Sequence, residues 1–180
     1  LIVADALKRS FAEVQEDNFS IEDYWAHSLA TAMAARILSF PLDQDKWSPE
    51  QHKDFASFGL SDTTVEYMRA LRLDRAFWIQ EGDDPFVSGM MHDIGKIALV
   101  HCYPGLYQSF VSLLQESDWK MSMRDAELAT AGVDHLQVGS LLASNWELSE
   151  SLQSVITQHH APNKTDALAH LICLSSFIAS

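Results

Sequence analysis

The sequence is poor in cysteine and in basic residues, and it has no long apolar run. Cys102 and Cys173 are its two cysteines. They stand far apart among apolar neighbours. Their spacing fits no zinc motif, and two are too few for a disulfide framework. A reducing cytoplasm is the expected setting. Lys plus Arg number 12 against 25 Asp plus Glu, a net charge of −13. That balance opposes binding to nucleic acid or to an anionic membrane surface, and no basic stripe offsets it. No apolar run approaches the length that crosses a bilayer. Residues 1–7 are too short an apolar stretch for a signal peptide and are soon broken by Lys8-Arg9. Few segments alternate strictly, so no sheet is expected. There is no internal repeat and no low-complexity tract.

What is present is helical patterning almost throughout. At 180 residues and 47% apolar, the chain is one globular domain able to bury a core. Helical spacing predicts helices over 1–14 and 21–39, with Leu29, Met33 and Ile37 on one face. Asp84-Pro85 starts another helix with a cap residue and a proline at the first position. Further helices are expected over 104–116, 123–131 (ended by Gly132), 134–145, 150–160 and 166–179. Residues 40–84 read as an inserted helical pair: a structural elaboration, a lid, or a partner-binding surface. It has a capping box at Ser48-Pro49-Glu50-Gln51, and Ser61 caps a helix with Val65, Met68, Leu71 and Phe77. The fold class is therefore all-α, a compact multi-helix bundle with a helical insertion.

His92-Asp93, in Gly89-Met90-Met91-His92-Asp93-Ile94-Gly95-Lys96, sets an imidazole beside a carboxylate where an apolar helix ends. Gly95 is read as the stop, in the left-handed conformation that ends many helices. Near a helix end both side chains can turn toward one nitrogen- and oxygen-binding ion. Their other reading is a hydrogen-bonded helix end. Leu152, Val155, Ile156 and His159 share one helical face, so His159 points inward and His160 sits one step around. An inward histidine wants a hydrogen bond or a metal. His27 and His135 are either ligands or ordinary helix residues. Lys96 is either a solvated lysine or a neutraliser of phosphate oxygen. Trp146 reads as a core anchor, and Glu127 as a surface residue or a cap on a neighbouring helix. His52, His101 and His170 read as structural.

In order, Tyr24-Trp25-Ala26-His27-Ser28, Gly89 to Lys96, Glu127 through His135 to Gly139, Asn145-Trp146-Glu147-Leu148 and Gln158-His159-His160-Ala161-Pro162 resemble the HDOD branch of the HD superfamily of metal-dependent phosphohydrolases. The resemblance covers about 21–39 and 85–179. It implies an HD-like helical bundle and a bacterial signalling role through a protein partner or a linked domain. It implies a metal set of His27, His92, Asp93, His135, His159 and His160, for one or two divalent ions. A histidine-rich set favours Fe, Mn or Zn over Mg; the alternative is a metal-free relic. Two departures stand out. The superfamily's final Asp aligns with Ser176, a poor ligand for a hard cation. No Gly-Tyr-Pro follows His159-His160, unlike the related HD-GYP phosphodiesterases. The rival expectation is an active phosphohydrolase on a phosphoester or nucleotide, with Asp93 and Lys96 catalytic. Leu1 is no initiator methionine, and the resemblance implies a helical portion ahead of it. The chain is thus expected to be a piece of a longer one.

Overall fold

The computed structural model describes residues 19–39, 83–103 and 105–180. The helix expected over 1–14, most of the insertion at 40–84 and His52 lie outside the described residues. Those described form eight helices and no extended strand. They are α1 (Ile21–Leu38), α2 (Pro85–Met91), α3 (Ile94–Cys102), α4 (Leu106–Glu116), α5 (Met123–Ala131), α6 (His135–Asn145), α7 (Glu150–Gln158) and α8 (Ala167–Ala179). The all-α expectation holds. Among the described residues no single helix is long and apolar enough to cross a membrane.

Local chemistry sets the helix starts. Ser20 accepts the Asp23 amide at 3.0 Å and opens α1. Asp84 accepts the Phe86 and Val87 amides at 2.9 and 3.1 Å, with Pro85 in the first position, as read from sequence. A reciprocal capping box joins Asp134 and Gln137 at the start of α6. Gly132, at φ 73°, ends α5 as expected.

Packing then places the site. α1 lies against α2 and α8, α3 against α6, and α6 against α7. Gly89 lets α1 and α2 close: a Cβ there would meet the Ala32 Cα at 2.5 Å. α3 is buried nearly all round, with Ile94, Ile97, Leu99 and Val100 in the interior. Each fully buried aliphatic side chain contributes about 1.5–3 kcal/mol. This helix is therefore a fixed post, and Asp93 stands at its head.

Three expectations are corrected. Gly95 does not end a helix; it lies inside α3. The break falls at His92-Asp93, and Gly95 is small because its Cβ would lie 1.9 Å from the carbonyl oxygen of His135. The apolar face read on α1 is also wrong. Leu29 is 44% exposed and Met33 36%, whereas Tyr24, Ser28, Thr31, Ala32 and Ala35 face inward. Close approach by two helices selects small side chains, which a hydrophobicity pattern undervalues. Trp146 is 43% exposed at the end of α6 and anchors no core. Leu152, Val155, Ile156 and His159 do face inward.

Candidate metal centre

Six residues from separate stretches of chain converge. His27 comes from α1, His92 and Asp93 from the α2–α3 break, His135 from the first position of α6, and His159-His160 from the end of α7. Asp93 occupies the N-cap position of α3 but makes no capping hydrogen bond. Its carboxylate points into the cluster instead. Oδ2 lies 3.3 Å from His92 Nε2 and 3.8 Å from His27 Nε2. Oδ1 lies 3.3 Å from His159 Nε2 and 3.5 Å from His135 Nε2. His160 Nε2 is 3.0 Å from His135 Nε2. One donor atom each from Asp93, His135, His159 and His160 fall within 4.8 Å of one another, as do donors from His27, His92 and Asp93. Asp93 is common to both groups.

Acceptors at the outer edge fix the tautomers. His92 Nδ1–H donates to the Gly89 carbonyl at 2.8 Å, and His159 Nδ1–H to the Val155 carbonyl at 3.2 Å. His135 Nδ1–H donates to Glu127 Oε2 at 2.6 Å, and the same oxygen accepts the His135 amide at 2.9 Å. A carbonyl or carboxylate oxygen only accepts, so each ring carries a proton on Nδ1 and turns its Nε2 inward. Outer acceptors of this kind orient metal-binding histidines and raise their basicity.

Three of the inward atoms lack partners. His92 Nε2, His159 Nε2 and Asp93 Oδ1 are buried without a hydrogen bond. Tyr24, Trp25, Ser28 and Thr31 hold the other such side-chain atoms among the described residues, all on α1. A buried polar atom left unpaired costs about 1–3 kcal/mol. Here lone pairs also face a carboxylate, which a hydrogen bond between neutral rings cannot relieve. A cation between Asp93 Oδ1 and His159 Nε2 satisfies both at once, so the donor set fits a divalent metal.

Electrostatics favour the metal-ready forms. Burial pushes His92 down to about 3, against the pull of Asp93. Burial, with neighbouring His159 and His135, pushes His160 down to about 4. Both rings are therefore neutral at pH 7. Burial alone would raise the Asp93 pKa, but the Lys96 ammonium beside it holds it well below the usual carboxylate range. Lys96 Nζ lies 2.6 Å from Asp93 Oδ2 and is 27% exposed. It is thus ion-paired with Asp93 rather than free in solvent. Ser176 Oγ lies 3.3 Å from His27 Nε2, at the edge where the superfamily Asp was expected.

Glu127 was missed as a site residue. It is 1% exposed, and it both caps the start of α6 and orients the His135 ring. The cap role was one of its two expected roles, the surface position the other. Its signal was its place in the stretch that runs through His135, eight residues before it, but the spacing crosses the Gly132 turn and matches no helical period. His101 and His170 are exposed and outside the cluster.

The sequence pattern of the HDOD domain matches residues 68–162. That span includes His92, Asp93, Lys96, Glu127, His135, His159 and His160, but not His27 or Ser176. The fold is similar to that of an HDOD domain protein of unknown function from Geobacter sulfurreducens, with TM-score 0.63 and 20% identity over 98% of this chain and 46% of that one. It is also similar to a protein provisionally named a phosphohydrolase from Shewanella amazonensis SB2B, with TM-score 0.59 and 17% identity over 92% of this chain and 48% of that one. At these identities the likeness shows the fold alone. An uncharacterized protein of Treponema pallidum (strain Nichols) is 23% identical over 147 residues, which are 80% of this chain and 26% of that protein. The chain thus spans about a quarter of that curated relative.

Proposed function

Because this chain belongs to the HDOD domain family, we propose that it is a regulatory signalling domain whose helices are tied together by a divalent metal ion. The observation that supports the metal is the pair of buried, unpartnered atoms Asp93 Oδ1 and His159 Nε2, 3.3 Å apart. The candidate ligands come from α1, the α2–α3 break, α6 and α7. Binding free energy at such a site is folding free energy, so a bound ion fixes how these helices pack. A protein partner or linked domain would read that packing. Ser176 and the closed Lys96–Asp93 pair favour this structural role over turnover.

The test is the metal content of protein purified without chelator or metal-binding tag. Near-stoichiometric Fe, Mn or Zn, lost in Asp93→Ala, supports the reading. Protein that stays metal-free after loading with these ions overturns it.

One observation favours a second reading, phosphoester hydrolysis. His27 is 26% exposed, Lys96 27%, and His160 lies at the exposed rim, so one edge of the cluster is open to solvent. A bound ion would supply a water of lowered pKa and balance charge on phosphate oxygens. Asp93 would keep the centre in place, and Lys96 would have to leave it to meet the substrate. Metal-loaded protein that cleaves an activated phosphodiester, with Asp93→Ala folded but inactive, would establish this reading. Equal rates for both proteins would end it.

A further inference from the structure

The two halves of the centre are not equivalent. Around Asp93 Oδ1 stand His159 Nε2 at 3.3 Å and His135 Nε2 at 3.5 Å, and His160 Nε2 is 3.0 Å from His135 Nε2. Donors about 2.0–2.1 Å from a tetrahedral ion stand about 3.3–3.4 Å from one another. The three separations bracket that edge length. Oδ1 has no hydrogen-bond partner, and no lysine or arginine is paired with it among the described residues.

The Oδ2 half differs at each point. Oδ2 is already paired with the Lys96 ammonium at 2.6 Å. His27 Nε2 stands off at 3.8 Å, and its near neighbour is the neutral hydroxyl of Ser176 at 3.3 Å. An ion drawn to Oδ2 would meet the ammonium at short range, and like charges repel strongly in a buried site. Lys96 has further N–H donors beyond the one on Oδ2. His92 Nε2 is the remaining bare atom of this half.

We infer that this chain holds a single divalent ion on Asp93, His135, His159 and His160, and that the Lys96 ammonium takes the place of a second ion in the half formed by His27 and His92. This rests on the metal-centre reading above. It assigns His27 and His92 to a lysine-neutralised half that does not coordinate the resident ion.

The experiment uses the whole chain, stripped with chelator and titrated with Co(II) or Zn(II). Visible absorbance of Co(II) gives the end point on the unaltered protein, and elemental analysis after gel filtration gives the count. One equivalent is expected. His160→Ala, at the exposed rim, should weaken Zn(II) binding at least roughly tenfold, as lost metal-site groups do. His27→Ala should stay within about twofold of the unaltered protein, since it removes no ligand of the ion. Lys96→Met combined with Ser176→Asp should take up a second equivalent. A two-equivalent end point in the unaltered protein overturns the inference and leaves the metal-centre reading standing. So does one equivalent that is lost in His27→Ala and kept in His160→Ala. No uptake by the unaltered protein overturns both.

Discussion

Gly95→Ala gives the sharpest test of how the site is placed. A Cβ at this position would lie 1.9 Å from the carbonyl oxygen of His135 and 2.8 Å from the Gly139 amide nitrogen. Both are backbone atoms of α6, so no rotamer change relieves the contact. Carbon and carbonyl oxygen rest at about 3.3 Å or more, so α3 and α6 must part by roughly 1.4 Å. Overpacking of a tight interior costs about 1–3 kcal/mol, and a rigid backbone contact belongs at the upper end. Alanine recovers about 1 kcal/mol over glycine inside a helix. The net loss is about 2 kcal/mol, or roughly 4–8 °C in Tm for a chain of this size. The parting also separates Asp93 from His135. Metal sites tolerate errors of only about ±0.2 Å, so Zn(II) affinity should fall at least tenfold. Circular dichroism melts of metal-free protein and a chelator competition measure the two effects separately. A helix-interior glycine with room around it would give the opposite sign, about 1 kcal/mol of stabilisation. Gly95→Ala with an equal or higher Tm and unchanged affinity would refute the close-approach argument.

Three further outcomes are expected. Glu127→Gln keeps the size of the side chain but removes the charged acceptor behind His135, so metal affinity should drop about 10–100-fold with the fold retained, as read by competition titration. Chelator should lower the Tm of metal-loaded protein, and excess metal should restore it. At free metal about 100 times Kd the linkage amounts to about 2.7 kcal/mol, and an unmoved melt would contradict it. Burial pushes the Asp134 pKa up, but the bond from Arg124 and the Gln137 amide pull it below the usual carboxylate range. Its stabilisation is therefore fully present above the unfolded pKa of about 3.9 and is lost as pH falls through the folded value. Urea melts of wild type and Asp134→Asn should differ at pH 6 and converge at the acid end; a gap that widens with acid would reverse the sign.

Features with local causes were legible in the sequence. Asp84-Pro85 opened α2 because a cap and a pre-set φ act within three residues, and Gly132 closed α5 for the same reason. The six candidate ligands stood out through their order and type, and the fold brings them together. Features with partners on other elements were not legible. Gly95 looked like a helix stop, because nothing in its own neighbourhood announces the His135 carbonyl that excludes a side chain. Leu29 and Met33 looked interior, because the small face of α1 is selected by two neighbouring helices rather than by hydrophobicity. Glu127 has its meaning from a ring reached across a turn.

The anchoring of His159 has a kinetic consequence. Its ring is held by the Val155 carbonyl near the end of α7. Terminal turns fray more readily than helix interiors. When that turn opens, Nδ1 loses its acceptor, the proton is free to move to Nε2, and the inward lone pair disappears. Exchange of an ion held by His159 is thus expected to follow the breathing of one helix end. Amide hydrogen exchange at the last turn of α7 should keep pace with metal release. A partner that clamps that end would slow both together.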